Sequence, residues 1–163
     1  MILLLSTYDL GRQPFGMASP LAWLRRAGID ARAIDLSRDH LQPDAVTKAS
    51  LIAFYLPMHT ATRLALLVID RVRAINPNAT VCAYGLYAQL NEALLRARGV
   101  SEIVGPEAEE ELVRLAGEAG ATGATGATRA TGAAGATGAT GGPGAHKSDG
   151  DVIDAEVVED DKK

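Results

Sequence analysis

Three short stretches of this chain are apolar at nearly every position: Ile2–Leu5 in the opening "MILLLS", Leu51–Leu56, and Ala79–Tyr84 in "ATVCAY". A strand with one wet face alternates polar and apolar residues, so unbroken runs of this length mark strands buried on both faces. Strands covered on both sides belong to parallel sheets, whose crossover connections lay helices over each face. The segments between the runs must therefore supply helices.

They carry helix signals. After the loop "TYDLGRQPFGM", punctuated by Gly11, Pro14 and Gly16, "SPLAWLRRAG" reads as a helix with Ser19 as N-cap, Pro20 at the first helical position and Gly28 as C-cap. Leu21, Trp23 and Leu24 form its expected buried face. Residues 29–36 ("IDARAIDL") read as a second strand. The polar stretch 37–50 has room for a short helix after Pro43. A longer helix is predicted from about Thr60 to Ile75. Its Leu64, Leu67, Val68, Ile69 and Val72 recur at spacings of three and four. A helix over about Gln89–Arg98 ends at Gly99, residues 101–105 make a fifth strand, and a helix over Glu107–Ala116 begins with glutamates suited to its dipole. The expected architecture is a five-stranded parallel Rossmann-like sheet of flavodoxin-like order 2-1-3-4-5, with helices on both faces.

In such sheets ligands bind beyond the carboxyl ends of the strands, near the switch point between strands 1 and 3. Three loops meet that edge. The first, "STYDLGRQPFG", offers Thr7, Tyr8, Asp9 and Arg12 with two glycines that permit close backbone approach. The second, Pro57–Thr60, brings Met58 and His59. His59 has three readings: a metal or corrinoid ligand, which one histidine without a second ligand at spacing supports least, a hydrogen-bonding pocket residue, or a residue that merely starts a helix. Met58 reads as packing and Thr60 as a helix N-cap. The third loop is Gly85–Ala88, where Tyr87 is placed to cover a planar ligand. The expected pocket residues are thus Thr7, Tyr8, Asp9, Met58, His59, Gly85 and Tyr87. No nucleophile, base and orienting group fall into a catalytic arrangement, and no dinucleotide fingerprint is present.

Charge and cysteine content narrow the classes further. Residues 1–120 carry 13 acidic and 12 basic side chains, so no basic patch points to nucleic acid. The single cysteine, Cys82, excludes a disulfide framework and any cluster needing several thiolates from this chain. It suits a cytoplasmic setting, where thiols stay reduced. No apolar run approaches a membrane span.

From about residue 117 the pattern changes. Glycine recurs at every third position from 117 to 144, except at Arg129, and no large apolar side chain accompanies it. The spacing matches the steric need of a collagen triple helix, but Arg129 interrupts it and only Pro143 stiffens it. The expectation is a folded domain over 1–118, a disordered Gly/Ala/Thr linker over 119–148 and a disordered acidic tail over 149–163.

Residues 1–118 resemble the N-terminal B12-binding-like domain of radical SAM proteins, most closely the CUAEP/CCAEP-tail group, through "STYDLGRQPFG", "AFYLPMHTATRLAL" and "YGLYAQLNEALLRARG". The stretch "EIVGPEAEEELVRLAG" resembles the segment that closes those domains, with Glu109 and Leu112 retained. The resemblance implies a cobalamin-binding-type module. The D-x-H-x-x-G histidine that ligates cobalt in methionine-synthase-type domains has no counterpart, since Leu10 and Gly11 follow Asp9. The barrel that would hold S-adenosylmethionine and a [4Fe–4S] cluster is absent, so the implied partner is a radical SAM catalytic domain, in cis or in trans. The ending "DGDVIDAEVVEDDKK" resembles the acidic tail of DnaK-type chaperones. The alternative reading is a non-catalytic protein-interaction domain carrying that tail.

Overall fold

The computed structural model describes residues 1–124. The expectations for the remainder of the Gly/Ala/Thr tract and for the acidic tail lie outside the described residues. Eleven elements alternate along the described chain: β1 (Ile2–Ser6), α1 (Phe15–Arg26), β2 (Ala31–Asp35), α2 (Pro43–Lys48), β3 (Leu51–Tyr55), α3 (His59–Ile75), β4 (Thr80–Tyr84), α4 (Leu86–Leu90), α5 (Glu92–Ala97), β5 (Glu102–Val104) and α6 (Glu109–Ala124). All strand pairings are parallel and the sheet order is β2-β1-β3-β4-β5, as expected.

Side-chain alternation along the strands divides the core into two layers. Leu3, Leu5, Ile52, Phe54, Val81 and Ala83 point to the layer covered by α2, α3, α4 and α5. Ile2, Leu4, Leu51, Ala53, Cys82 and Tyr84 point to the layer beneath α1 and α6. Both layers are apolar, which explains why β1, β3 and β4 carry no polar alternation.

Several helices differ from expectation at their ends and faces. Helix α1 starts at Phe15, five residues early, because Pro14 fixes an extended N-cap and its carbonyl accepts the Met17 and Ala18 N–H groups. Ser19 is therefore interior, and its hydroxyl donates to Glu109 Oε1 at 2.7 Å instead of capping. The buried face of α1 is Met17, Pro20 and Leu24, whereas Trp23 is 45% exposed. Helix α3 starts at His59 with Met58 as N-cap, so Thr60 is no cap; Thr62 bonds back to the Met58 carbonyl. Its buried stripe runs Ala61, Ala65, Ile69, Val72, leaving Leu64 and Leu67 exposed. The stretch expected as an exit turn is already helical from Leu86, and the helix predicted over 89–98 is interrupted at Asn91. Helix α6 starts two residues late and runs on to Ala124, beyond residue 118. Its buried face includes Leu112, Leu115, Ala116 and Ala119.

Candidate functional site

Register brings Ser6, Tyr55 and Tyr84 into one row at the carboxyl edge of the sheet. The two tyrosine rings lie 5.5 Å apart, tilted by 35°. Helix α1 sits directly on Tyr55: a Cβ on Gly16 would fall 2.1 Å from the ring, so only glycine allows this approach. Tyr84 is buried and donates its hydroxyl to the Gly16 carbonyl at 2.9 Å. That carbonyl needs an outside donor, because its helical partner would be the N–H of residue 20, which is proline. Burial, and then the charge of Asp9, push the Tyr55 hydroxyl above its ordinary range. Burial chiefly, with Cys82, Tyr55 and Glu109 adding to it, pushes Tyr84 well above.

Beyond this row opens a cleft of about 330 Å³, lined by Phe15, Gly16, Ser19, Tyr55, Pro57, Gly85, Leu86, Pro106 and Glu109. Its walls are largely apolar, and two are strongly exposed: Phe15 at 78% and Leu86 at 57%. Its polar end is the Ser19–Glu109 pair. Gly85 forms its inner edge with φ +103°, and a Cβ there would lie 2.9 Å from the Leu56 carbonyl oxygen. The peptide at Gly85 is held by the Gly105 carbonyl, and Tyr87 N–H by that of Leu56, which fixes the start of α4 against β3 and β5.

The structure distributes the seven expected residues unevenly around this cleft. Gly85 lines it. Thr7 is buried and donates to the Ala61 carbonyl at 2.8 Å, tying the β1 loop to α3. Tyr87 packs on the opposite layer, against the core beneath α3. His59 is exposed at the first position of α3, with Met58 half-buried before it. Tyr8 and Asp9 are half-buried in the β1 loop, where the Asp9 charge reaches Tyr55. Phe15, Ser19, Pro106 and Glu109 escape a reading by loops, because α1 and the β5–α6 connection bring them in, and Tyr55 enters from the last position of β3. The available signal was the triplet Pro14-Phe15-Gly16, an aromatic residue between two residues that shape the backbone.

Among the described residues, no three His, Cys, Asp or Glu side chains gather as a metal site would require. No helix of the described residues is long and apolar enough to cross a membrane. Cys82 is buried in β4; burial first, then the charges of Glu102 and Glu111, push its thiol far above the usual range.

No protein-family model matches the chain, and no curated protein matches it in sequence. Solved structures do match. The TIR domain heterodimer of RPS4 and RRS1 aligns at 20% identity over 73% of this chain and 96% of that one, with a TM-score of 0.59. The two-electron reduced flavodoxin of Megasphaera elsdenii aligns at 14% identity over 73% and 98%, with a TM-score of 0.50. A response regulator of Burkholderia pseudomallei aligns at 16% identity over 76% and 72%, also at 0.50. This is the flavodoxin-like fold. At such identities the likeness is of backbone alone, and sites must be argued from this chain's own residues.

Proposed function

We propose that residues 1–124 are a non-catalytic, corrinoid-binding-type module that works beside a separate catalytic domain. The observation that carries this reading is the open apolar cleft at the carboxyl edge of β3 and β4, where ligands of parallel α/β sheets bind. Phe15, Pro57, Leu86 and Pro106 suit one face of a planar macrocycle, and Ser19 with Glu109 suits its amide-bearing rim. The nine lining residues carry no imidazole or thiolate, so cobalt would take no protein ligand there. A volume of about 330 Å³ lies at the small end of ligand sites, so the cleft suits part of a corrinoid, not all of it. Bound corrinoid would supply organometallic chemistry; this chain would hold and orient it. S-adenosylmethionine and an iron–sulfur cluster would belong to a radical SAM catalytic domain, since the one thiol is buried in β4.

The test is a visible-spectrum titration of the full chain with hydroxocobalamin and with methylcobalamin, followed by gel filtration. Binding is expected to shift the spectrum and to carry corrinoid with the protein peak. Leu86→Glu, which puts a charge on an exposed wall, is expected to weaken binding at least about tenfold, the equivalent of 1.4 kcal/mol. An unshifted spectrum with no retained corrinoid overturns the reading. The second reading, a protein-interaction module, is favoured by the exposure of Leu10, Phe15 and Leu86 around the same edge. A partner retained without cobalamin, and lost on Phe15→Ser, supports that reading.

A further inference from the structure

We propose that this chain associates with a second copy of itself head to tail, an acidic apolar face on one copy meeting a basic apolar face on the next. The acidic face is built by α1 and α6. Phe15, Ser19 and Trp23 stand four residues apart and form one stripe along α1. Phe15 is the most exposed large apolar side chain among the described residues, and Trp23 is 45% exposed. Beside Trp23 lies a second cleft of about 330 Å³, walled by Glu107, Glu109 and Glu110. Glu109 belongs to both clefts, which makes the surface continuous from Phe15 to Trp23. Among the described residues no ion pair neutralises Glu107, Glu109 or Glu110.

The basic face is on α3, on the opposite layer of the molecule. Leu64 and Leu67 are exposed there, at 41% and 65%, between Arg63 and Arg71. With Thr7, Leu36, Val68 and Arg71 they line a groove of about 250 Å³. Neither Arg63 nor Arg71 has an ion pair among the described residues, whereas the neighbouring Asp70 is held by Arg98.

Single exposed apolar residues need no explanation. An apolar ridge with unpaired carboxylates on one face and an apolar groove with unpaired guanidinium groups on another is different, because each completes the other. The two faces lie on opposite layers, so contact needs a second molecule. Pairing by a two-fold axis would set glutamates against glutamates or arginines against arginines. Charge therefore selects a heterologous contact, the kind that builds rings or open chains. This inference does not rest on corrinoid binding.

Sedimentation velocity of the full chain without corrinoid, over a concentration series from micromolar to millimolar, tests it. The weight-average mass is expected to rise with concentration and to fall back as salt is raised, because the charges are exposed. Variant A, Trp23→Ser with Glu110→Lys, spoils only the acidic face. Variant B, Leu67→Ser with Arg71→Glu, spoils only the basic face. Each alone is expected to self-associate at least about tenfold more weakly. An equimolar mixture is expected to form a dimer and nothing larger, since one intact face of each kind remains. Far-ultraviolet circular dichroism checks that the variants are folded; if either is not, Glu110→Lys and Arg71→Glu alone carry the same test. A wild-type chain that stays monomeric, a variant that associates as the wild type does, or a mixture that stays monomeric overturns the proposal. Corrinoid titration of variant B, whose changes lie away from the cleft, shows separately whether the cofactor reading stands.

Discussion

Gly16, Pro20 and Tyr84 form a unit in which each residue makes the others tolerable. Proline inside a helix removes the bond to the carbonyl four residues back. Here that carbonyl belongs to Gly16, and the Tyr84 hydroxyl takes the missing donor's place. Tyr84→Phe leaves a part-buried carbonyl unpaired and is expected to destabilise the protein by about 1–3 kcal/mol. In a Pro20→Ala background the amide of residue 20 can donate instead. The Tyr84→Phe loss should then shrink, and a double-mutant cycle read by urea unfolding measures the coupling. Equal losses in the two backgrounds would break the argument. The same hydroxyls set a pH dependence. Tyr55 and Tyr84 have folded pKa values raised above the ordinary 10.0, so both states are protonated at neutral pH. Above about pH 10 the unfolded chain loses these protons first, and stability should fall as pH rises toward the folded values. Tyr84→Phe should flatten that decline; a slope unchanged by the substitution would show that Tyr84 plays no part in it.

At the level of elements, legibility followed what each residue spends its bonds on. Strands β1, β3 and β4 were readable because runs such as Leu51–Tyr55 are buried on both faces, whereas β2 and β5, at the sheet edges, are only partly buried and carry a weaker pattern. Helix starts were less readable, because capping residues acquired tertiary partners. Ser19 looks like an N-cap but bonds Glu109, ninety residues away, and Pro20 looks like a first-turn proline but relies on Tyr84. On α3, Ile69 and Val72 are buried as their spacing predicts, but the first turns meet the sheet through Ala61 and Ala65 while Leu64 and Leu67 stay exposed, and the small side chains let the helix lie close. The cleft was half readable for a related reason. Its edge followed from topology, but its walls come from α1 and the β5–α6 connection, which the misplaced helix start had put elsewhere. Element junctions also carry a prediction. Arg73 donates to the carbonyls of Pro77, Ala79 and Gly99, joining the end of α3, the approach to β4 and the turn before β5. Arg73→Met should lower stability by about 1.5–3 kcal/mol, the range for hydrogen bonds to a charged group. Arg73→Lys should recover less than half of that, because one ammonium cannot span the fork of carbonyls. Urea midpoints at constant m value decide the matter, and an Arg73→Lys variant as stable as wild type would reject the clamp.

The described residues build two apolar layers on one shared sheet, and this arrangement dictates how the domain opens. Cys82 faces the layer under α1 and α6, and Ala83, next along β4, faces the layer under α3; both are fully buried. Strand β4 is hydrogen-bonded to β3 and β5 on its two sides, so exposing either residue from its layer requires undoing the packing of a strand that both layers share. Local opening of one layer alone should therefore be rare, and solvent should reach β4 only on global unfolding. The single thiol makes this measurable. Labelling of Cys82 by a thiol reagent in native buffer should be slowed by the full unfolding constant, and its dependence on urea should match the global m value. Burial also holds the thiol protonated, so the folded chain offers almost no thiolate. Moving the thiol to the other layer, with Ala83→Cys in a Cys82→Ala background, should give the same protection relative to that variant's own stability. Faster labelling on one side, with a shallower urea slope, would show that its helices lift off the sheet independently and that the two layers are separate cooperative units.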